Sequence, residues 1–595
     1  GMVTGYEVYT LDQQKTVASF NEEKTFVPAS VFKMLVTAAA VGLWPEDMTI
    51  PTKIFLDGKV NQHGVLNGDV ILKGYGDPTL TVEKLNHLAK KLKEQGIRQI
   101  NGNLIVDDSY YDDKRLGDHW MWDDEPYDYN AQISALSVKG NTVDITVQAK
   151  KIGEAPKVTI DPAPEYVEVV NKAKTVDGSS ASLSIDRTLA KNEIVVSGTI
   201  GKDYTPNGYK VTRTIVDPTL FTGTVFRDLL VKQGVIFNHK SKIKVGKRAK
   251  QAKLLAETVS PKLDDMLTEM DKVSDNFYAE MLTKQLGARE GDGGTTKAGI
   301  KVIDHFLKHT LGVEDDFIQK DGSGLSRLNH ISPHVYIELL KGMYDSPDRQ
   351  RFLSFLPIAG VDGTLKSRMK GTPAESRVVA KTGSMSGVNS LVGYVTASNG
   401  QVFAFSILSN GIYKSAYATK LQDDLAIALA EYPELPDRPD VIAPEEPDYP
   451  LASQLDPILN NEAFKGVITG AAIYSTKQNN FIYAKNEKKL LTPGANAKLL
   501  TAVTALERLG ADYRFKTEVY TNGPINHGVL KGDIILKGYG DPTLSTNGKS
   551  GLGGPKLAAM AEAIKKAGIR QVKGHIIVDS RFFTKDVYAQ GWTWD

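Results

Sequence analysis

The sequence predicts an α+β domain that is interrupted by a large β-rich insertion and followed by a partial second copy of its own N-terminal part. Helix and strand patterns occupy both ends of residues 1–431, whereas residues 51–254 carry mainly short alternating strands. A long internal repeat then links residues 68–80 to residues 532–544. With 595 residues, the chain is long enough for several such units.

Residues 1–50 and 255–431 are predicted to form one domain around the insertion. Alternating strands at 5–9 and 16–20 precede an apolar helix at 31–43, which we expect to be buried on most sides. The second part is predicted to contain helices at 263–287, 299–311 and 418–431, and antiparallel strands at 378–384, 390–396 and 402–408.

The insertion, residues 51–254, is predicted to comprise two nested modules, since alternating segments such as 103–106, 143–147 and 193–200 recur with few long helices between them. Residues 432–451 include YPELPDRPDVIAPEEPDYP, which is rich in proline and acidic residues. This composition predicts an extended, semi-rigid linker. The alternative is an irregular surface loop inside one domain.

Residues 452–595 are predicted to be a truncated second copy. GDVILKGYGDPTL from Gly68 recurs as GDIILKGYGDPTL from Gly532, and GIRQINGNLIVDDS from Gly96 recurs as GIRQVKGHIIVDS from Gly568. A shared turn motif does not explain matches of this length, so a whole unit is duplicated.

The alignment extends to both ends of the second copy, where Thr4 matches Thr469 and Trp120 matches Trp592. Residues 452–465 precede the aligned part and are predicted to form a short amphipathic helix that the first copy lacks.

Composition excludes several functional classes. Seventy-two Lys and Arg residues against 71 Asp and Glu leave a net charge of +1, so the charge indicates neither nucleic acid nor an anionic membrane as a partner. With no cysteine and no metal-ligand spacing among the ten histidines, neither a metal site nor a cofactor is predicted. No apolar run reaches the roughly 18 to 20 residues of a membrane span, and Gly1-Met2 is not followed by the basic and apolar regions of a signal peptide.

The segment PASVFK places Ser30 in the first turn of a helix that begins at Pro28. The i to i+3 spacing brings Ser30 and Lys33 onto one helix face. Burial among apolar neighbours would lower the pKa of the Lys33 amine and let it take the serine proton. The pattern occurs by chance in many chains, and a surface helix start is the alternative.

Two further motifs strengthen the first. Ser274 and Asn276 alternate at the end of a polar turn, so both side chains can face one cleft. Lys381, Thr382 and Gly383 lie on a predicted strand, where the small glycine lets a substrate backbone approach. The order of the three motifs, each on the expected kind of element, is far more specific than any one of them.

With these motifs the chain resembles the serine penicillin-binding proteins and β-lactamases. It most resembles the class C low-molecular-mass penicillin-binding proteins, the D-alanyl-D-alanine carboxypeptidase/endopeptidase family S13. The 244-residue gap between Ser30 and Ser274 is too long for a β-lactamase, and phrases such as GYGDPTL and DGSGLS are similar to that family. The resemblance implies a β-lactamase-like α+β catalytic domain with inserted domains between its first and second motifs.

The resemblance implies a role for each motif residue. Ser30 would be the acylating nucleophile and Lys33 its base, while Ser274 with Lys381 would pass a proton to the leaving D-alanine. Asn276 would hold the acyl-side amide of the substrate. The backbone N–H groups of Ser30 and Ser384 would form the oxyanion hole. The terminal carboxylate would be bound by Lys381, Thr382 and Ser384.

The resemblance also implies a pocket for the free end of a diaminopimelate side chain. The matching positions are Asp123, Arg327 and Met385, with Trp120 nearby. An Asp and an Arg together suit a zwitterionic group. The alternative is that both charges are simply solvated on the surface.

The second copy departs from the family pattern where chemistry requires it. Ala495 replaces the nucleophile, and residues 452–595 contain no counterpart of Ser274 or Lys381. The second copy is therefore predicted to be catalytically inactive.

The function implied is that of a serine D-Ala-D-Ala carboxypeptidase/endopeptidase, which acts on peptidoglycan stem peptides and is acylated by β-lactams. The expected location is extracytoplasmic. Self-association through residues 452–595 is a further expectation. The alternatives are a β-lactamase or esterase on the same scaffold, and a wall-binding pseudoenzyme.

Overall fold

The computed structural model describes residues 1–434, 449–544, 556–584 and 588–593. These residues form two compact units, of which the first comprises Gly1–Leu491 with residues 591–593 and the second lies within Thr492–Gln590. Most of the predicted linker at 432–451 lies outside the described residues. None of the helices in the described ranges is both long and apolar enough to cross a bilayer.

The chain begins with a strand pair and a central helix. Strands β1 (Val3–Thr10) and β2 (Lys15–Phe20) pair antiparallel. A 3-10 turn (Ala29–Phe32) leads into helix α1 (Lys33–Leu43), whose residues are buried as far as its last turn. The predicted buried helix at 31–43 is thus confirmed, except that its first two residues belong to the 3-10 turn.

The insertion consists of sheets that are nested in sequence. Its elements are β3 (Pro51–Val60), β4 (Val65–Gly74), α2 (Val82–Glu94), β5 (Gln99–Ile100), β6 (Leu104–Asp107), β7 (Thr142–Gln148), β8 (Lys157–Asp161), β9 (Glu168–Asn171), β10 (Lys174–Val176), β11 (Ala181–Arg187), β12 (Glu193–Gly201), β13 (Tyr209–Thr214), α3 (Pro218–Lys232), β14 (Ile236–Phe237), β15 (Ile243–Val245) and β16 (Lys253–Val259). A seven-stranded sheet combines β3 to β6 with β14 to β16, and β7 to β13 form two smaller sheets between these groups. Strand β16 extends past the predicted boundary at residue 254.

The chain then returns to the sheet of β1. The elements are α4 (Leu263–Lys272), α5 (Asn276–Glu290), α6 (Thr296–His309), α7 (Pro333–Asp345), α8 (Arg349–Phe355), β17 (Val378–Met385), β18 (Val388–Thr396), β19 (Val402–Asn410) and α9 (Ser415–Glu431). The antiparallel sheet has the order β17-β18-β19-β1-β2, so the strands before the insertion share one sheet with the last three strands before α9. The continuous helix predicted at 263–287 is wrong: it breaks between α4 and α5, where Ser274 has a left-handed φ of 66° that a helix does not accept.

Apolar cores cover both faces of this sheet. On one face, α1 and α7 pack with Val392, Ala404 and Leu408. On the other, Ala426 and Ala430 of α9 pack with further strand residues. The sheet is therefore the middle layer of an α+β domain, and β17 lies at its edge.

Residues 449–491 belong to the first compact unit. Helix α10 (Ala452–Leu459) precedes the hairpin of β20 (Ala471–Ser475) and β21 (Asn480–Lys485). Tyr483 is buried, and its hydroxyl donates a hydrogen bond to Asp456 of α10 at 2.7 Å. Helix α10 therefore contacts the hairpin that follows it in the chain.

The second unit has its own helices and short sheets. Its elements are a 3-10 turn (Gly494–Ala497), α11 (Lys498–Leu509), β22 (Thr517–Thr521), β23 (Ile525–Asn526), β24 (Val529–Leu530), β25 (Ile534–Gly538), α12 (Lys556–Lys566), β26 (Gln571–Val572) and β27 (Ile576–Asp579). Strand β25 pairs parallel with β27 from Ile534 opposite Ile576, and β4 pairs with β6 from Val70 opposite Leu104 at the aligned positions. Helix α11 has no buried residue, so its apolar side chains remain exposed.

Candidate active site

The first motif forms a tight turn in which Ser30 and Lys33 meet. Ala29 has a left-handed φ of 54° and begins the 3-10 turn, and Lys33 is the first residue of α1. The Lys33 ammonium donates hydrogen bonds to Ser30 Oγ at 2.9 Å, Asn276 Oδ1 at 2.6 Å and the Ser323 carbonyl at 2.8 Å. Three separate parts of the chain therefore hold the amine against the serine hydroxyl.

Burial changes the acidity of this amine. Lys33 is completely buried, and desolvation lowers its pKa to about 8, although the charges of Asp275 and Asp321 act in the opposite direction. At a pKa near 8, a substantial fraction of the amine is neutral just above neutral pH. The neutral amine can accept the proton of Ser30.

The second and third motifs form a matching pair. Lys381 donates to Ser274 Oγ at 2.9 Å and to the Thr382 carbonyl at 3.0 Å. Burial, followed by repulsion from the charge of Lys33, lowers the pKa of Lys381 to about 7. The site thus contains two Ser–Lys pairs, and both amines can change protonation near neutral pH.

Two buried carboxyl groups support these lysines, and the sequence analysis missed both. Desolvation raises the pKa of Asp271 to about 6, and Thr37 donates a hydrogen bond to its carboxylate at 2.6 Å. Desolvation also raises the pKa of Glu280 to about 7. The position of Asp271 three residues before Ser274, and of Glu280 four residues after Asn276, is the sequence signal that could have identified them.

A turn centred on Asp321 places the Ser323 carbonyl at Lys33. The Asp321 carboxylate accepts hydrogen bonds from the backbone N–H groups of Gly324 and Ser326 at 2.9 and 2.6 Å. Glu280 accepts from the Ser323 N–H at 2.7 Å. These buried carboxylates fix the turn, and the turn fixes one of the three acceptors around Lys33.

Trp120, which is predicted to line the side-chain pocket, is nearly enclosed. Its indole is 1% exposed and donates to Asp321 Oδ2 at 2.9 Å. The ring therefore supports the Asp321 turn, and a contact of Trp120 with substrate stays a prediction.

Strand β17 lies directly against the nucleophile turn. A Cβ atom added to Gly383 would lie 2.6 Å from the Pro28 carbonyl oxygen and 3.1 Å from the Ser30 nitrogen. Only glycine permits this approach. The sequence predicts that Gly383 gives a substrate backbone access to the strand. The structure adds a second reason for glycine at this position, because any side chain here would prevent β17 from packing on the turn. Ser384, the next residue, is exposed.

The three residues of the predicted side-chain pocket belong to different elements, and Met385 is the last residue of β17. Asp123 lies in a 3-10 turn (Trp122–Asp124), while Arg327 donates to the Ser386 carbonyl at 2.9 Å, one residue beyond Met385. Desolvation lowers the pKa of the Arg327 guanidinium, and Asp124, which the sequence analysis passed over, opposes that shift. The charge of Asp124 thus interacts with that of Arg327.

Within the described residues, no group of three or more His, Asp or Glu side chains could hold a metal ion.

Comparisons with known proteins identify the family that this chain matches. The model of the D-Ala-D-Ala carboxypeptidase 3 (S13) family matches residues 1–432 and 451–595. The chain is 35% identical to a D-alanyl-D-alanine carboxypeptidase of Actinomadura sp. (strain R39), over 73% of this chain and 82% of that protein. It is 29% identical to the D-alanyl-D-alanine carboxypeptidase DacB of Haemophilus influenzae, over 69% of this chain and 86% of that protein.

The fold comparison points to the same relatives. The crystal structure of penicillin binding protein 4 (dacB) from Haemophilus influenzae superposes with a TM-score of 0.64 and 27% identity, over 73% of this chain and 97% of that chain. The same protein complexed with a novel β-lactam superposes with a TM-score of 0.61 and 26% identity, over the same shares of the two chains.

Proposed function

The chain belongs to the D-Ala-D-Ala carboxypeptidase 3 (S13) family, and from this premise we propose a chemical role for each residue of the site. The chain is a serine-type D-Ala-D-Ala carboxypeptidase that acts on peptidoglycan stem peptides through an acyl-enzyme. The observation that carries the assignment of roles is the 2.9 Å contact between the Lys33 amine and Ser30 Oγ, made by a lysine whose pKa is lowered to about 8.

In the acylation step, Ser30 Oγ attacks the carbonyl carbon of the penultimate D-alanine and passes its proton to neutral Lys33. The new bond joins Oγ to the carbonyl carbon, and the bond that breaks joins this carbon to the nitrogen of the terminal D-alanine. The leaving nitrogen takes a proton that Lys381 supplies through the Ser274 hydroxyl. A lysine with a pKa of about 7 is well suited to give a proton near neutral pH.

Deacylation restores both lysines. Water attacks the ester carbonyl and passes its proton to Lys381 through Ser274. Lys33 returns its proton to Ser30 Oγ as the ester bond breaks. If the acceptor peptide of a cross-link occupies the place of the terminal D-alanine, the same steps cleave the cross-link, which is the endopeptidase reaction.

Asn276 and strand β17 position the substrate. Asn276 Oδ1 accepts from Lys33, and its Nδ2 donates to the Tyr129 carbonyl at 2.9 Å. We assign the acyl-side amide of the substrate to Nδ2, in exchange for Tyr129. The N–H groups of Ser30 and Ser384 are assigned to the oxyanion, a role supported by the close approach of β17 to the nucleophile turn.

The terminal carboxylate is assigned to Lys381, Thr382 and Ser384. Thr382 and Ser384 follow Lys381 on β17, and β17 is the edge strand of the sheet. Residues 357–359 pair with this edge as far as Ala380, so an extended peptide could pair with β17 only beyond that residue. The order of these residues along β17 supports an extended stem peptide laid beside this edge.

Asp123, Arg327 and Met385 are assigned to the free end of a diaminopimelate-like side chain. Such an end carries an ammonium and a carboxylate, which an acidic and a basic side chain would bind separately. Asp124 is added to this assignment because its charge interacts with that of Arg327.

The domain division and the second copy are part of the proposal. Residues 1–50 and 255–431 are assigned to catalysis and residues 51–254 to the insertion, while residues 452–595 are assigned to an inactive second copy that lacks a nucleophile at Ala495. Activity is placed outside the cytoplasm, where peptidoglycan lies. Self-association through residues 452–595 belongs to the same proposal.

The test combines mass spectrometry with turnover. Treatment of the full chain with a penicillin should give one covalent adduct per chain, which peptide mapping should locate on Ser30, and a D-Ala-D-Ala peptide should release D-alanine. Ser19→Ala, at an exposed serine of β2, is the control that should keep both properties. Rapid loss of the adduct with turnover of the penicillin would favour a β-lactamase. A stable chain with neither adduct nor D-alanine release would favour a pseudoenzyme.

A further inference from the structure

We propose that the first copy carries a self-complementary docking surface for a second copy of the same fold. The surface consists of residues 1–2, residues 23–25 and residues 121–123. In this chain the second copy occupies it through residues 464–467, 488–490 and 591–593.

The main observation is a reciprocal exchange of backbone hydrogen bonds. The Thr25 N–H donates to the Gly466 carbonyl at 3.1 Å, and the Leu490 N–H donates to the Gly1 carbonyl at 2.8 Å. In the repeat alignment, Gly466 is equivalent to Gly1 and Leu490 to Thr25, since 466 minus 1 and 490 minus 25 both equal 465. Each copy therefore gives the other the same acceptor and the same donor, which is the signature of an isologous interface.

The lysines next to these groups make further contacts, but their acceptors are not equivalent positions. Lys24 donates to the Phe464 carbonyl at 3.0 Å, and its equivalent Lys489 donates to the Met2 carbonyl at 3.1 Å. Glu23 also forms an ion pair with Lys465 at 2.5 Å. The symmetry of the pairing therefore rests on the backbone hydrogen bonds, and these side chains add to the contact without repeating it.

A second contact shows the same symmetry independently. Met121 pairs antiparallel with Thr593, and the Trp122 N–H donates to the Trp592 carbonyl at 3.0 Å. The alignment makes Met121 equivalent to Thr593, because Trp120 matches Trp592. Identical positions face each other across an antiparallel pair when a two-fold axis passes between them.

This second contact reaches the site of the proposed function. The Gly591 N–H donates to Asp123 Oδ1 at 3.1 Å. If Asp123 binds the ammonium of a stem-peptide side chain, a paired copy competes for the same carboxylate. This consequence rests on the proposed function, whereas the pairing itself does not.

Disulfide trapping in the full chain tests the pairing, because the chain has no cysteine of its own. A Cβ atom at position 466 would lie 3.9 Å from Thr25 Cγ2, so cysteines at positions 25 and 466 are close enough to form a disulfide. The double variant Thr25→Cys/Gly466→Cys should form a disulfide under mild oxidation, within one chain or between two chains. The matched control is Thr25→Cys/Gly178→Cys, since a Cβ added at Gly178 has no atom within 4 Å.

A second variant keeps the test decisive if the first folds poorly. Met121→Cys/Thr593→Cys should also form a disulfide, because directly opposed residues of an antiparallel pair have Cα atoms about 4.5–5.5 Å apart. Peptide mapping identifies each disulfide. The proposal is overturned if both pairs remain reduced, or if they react no more than the control, in chains that still bind penicillin. Disulfide formation in a chain that does not bind penicillin would support the pairing and count against the proposed function.

Discussion

The turn that carries Ser30 and the turn at Gly494–Ala497 have nearly the same backbone and very different surroundings. Ala29 and its equivalent Gly494 have φ angles of 54° and 56°, and each begins a 3-10 turn that is followed by a helix starting at a lysine. Lys33 is completely buried against three acceptors, whereas Lys498 is exposed. Local sequence therefore suffices for the turn, but it does not create a reactive lysine.

The surroundings of Lys33 come from distant parts of the chain. Asn276 and Ser323, which accept two of its hydrogen bonds, lie more than 240 residues away along the chain. In the second copy, Leu499 and Leu500 beside Lys498 are 68% and 75% exposed. The comparison indicates that burial, which lowers the pKa of the Lys33 amine, depends on the elements that follow the insertion.

The two turns should differ most in covalent penicillin binding, because only the first carries a serine beside a buried lysine. Ser30→Ala should abolish covalent penicillin binding, and Ala495→Ser should add no second adduct, because the amine at Lys498 is not held in a buried site. Intact-mass spectrometry after penicillin treatment measures both. An adduct retained in Ser30→Ala, or two adducts in Ala495→Ser, would contradict the comparison.

Substitution of Lys33 and substitution of Lys498 should change the acylation rate to very different extents. Lys33→Ala should lower the acylation rate by at least about 10²–10⁴-fold, the usual contribution of general-base assistance. Lys498→Ala should leave the rate unchanged and serves as the matched control. Stopped-flow measurement with a fluorescent penicillin gives both rates. Near-normal acylation in Lys33→Ala would require a different base.

Acylation by the unaltered chain should rise with pH to a maximum between about pH 7 and 8 and then fall. Lys33, whose pKa is lowered to about 8, accepts a proton only when neutral, and Lys381, whose pKa is lowered to about 7, gives a proton to the leaving nitrogen only when protonated. Between pH 6 and the maximum the rate should increase roughly five- to tenfold, since the neutral fraction of Lys33 rises about tenfold per pH unit while the protonated fraction of Lys381 decreases. The pH dependence of the second-order acylation rate measures this. A rate that falls across this range would mean that protonated Lys33 is the active form.

The side-chain pocket should give a smaller, selective effect. Asp123→Ala should reduce turnover of peptides with a free diaminopimelate-like end about tenfold to a hundredfold more than turnover of a simple acyl-D-Ala-D-Ala peptide, because charge-assisted hydrogen bonds contribute about 1.5–3 kcal/mol. Asp113→Ala, at an exposed acid nearby, is the control. Values of kcat/KM for the two substrates decide the outcome, and equal losses on both would assign Asp123 to stability.

The smallest effect concerns the support that the second copy gives to the first. Deletion of residues 440–595 should lower the melting temperature by a few degrees without removing acylation, since it removes the partners of Thr25 and Gly1. Each kcal/mol lost shifts the midpoint of a domain of some 150–250 residues by about 2–4 °C. Calorimetry of the shortened chain measures the change. An unchanged melting temperature, together with cooperative folding of the isolated fragment 452–595, would show that the copies are independent.

Much of the fold follows from local pattern. The buried helix at 31–43, the strands of the central sheet and the β-rich character of the insertion were predicted from periodicity, which reports which faces are apolar. Periodicity did not reveal the break before Asn276, because a left-handed residue such as Ser274 interrupts the helix without interrupting its apolar pattern. The helix predicted at 263–287 failed for this reason.

The identity and order of the reactive groups, from Ser30 and Lys33 to Lys381, can be read from the sequence, because side-chain type and short spacing are properties of the chain. Which groups are buried together depends on how distant segments pack. This packing brings Asp271 and Glu280 into the site, places Trp120 against the Asp321 turn, and lowers the pKa values of both lysines. The physical reason is that desolvation depends on every segment packed around a charge, and those segments are hundreds of residues apart in sequence.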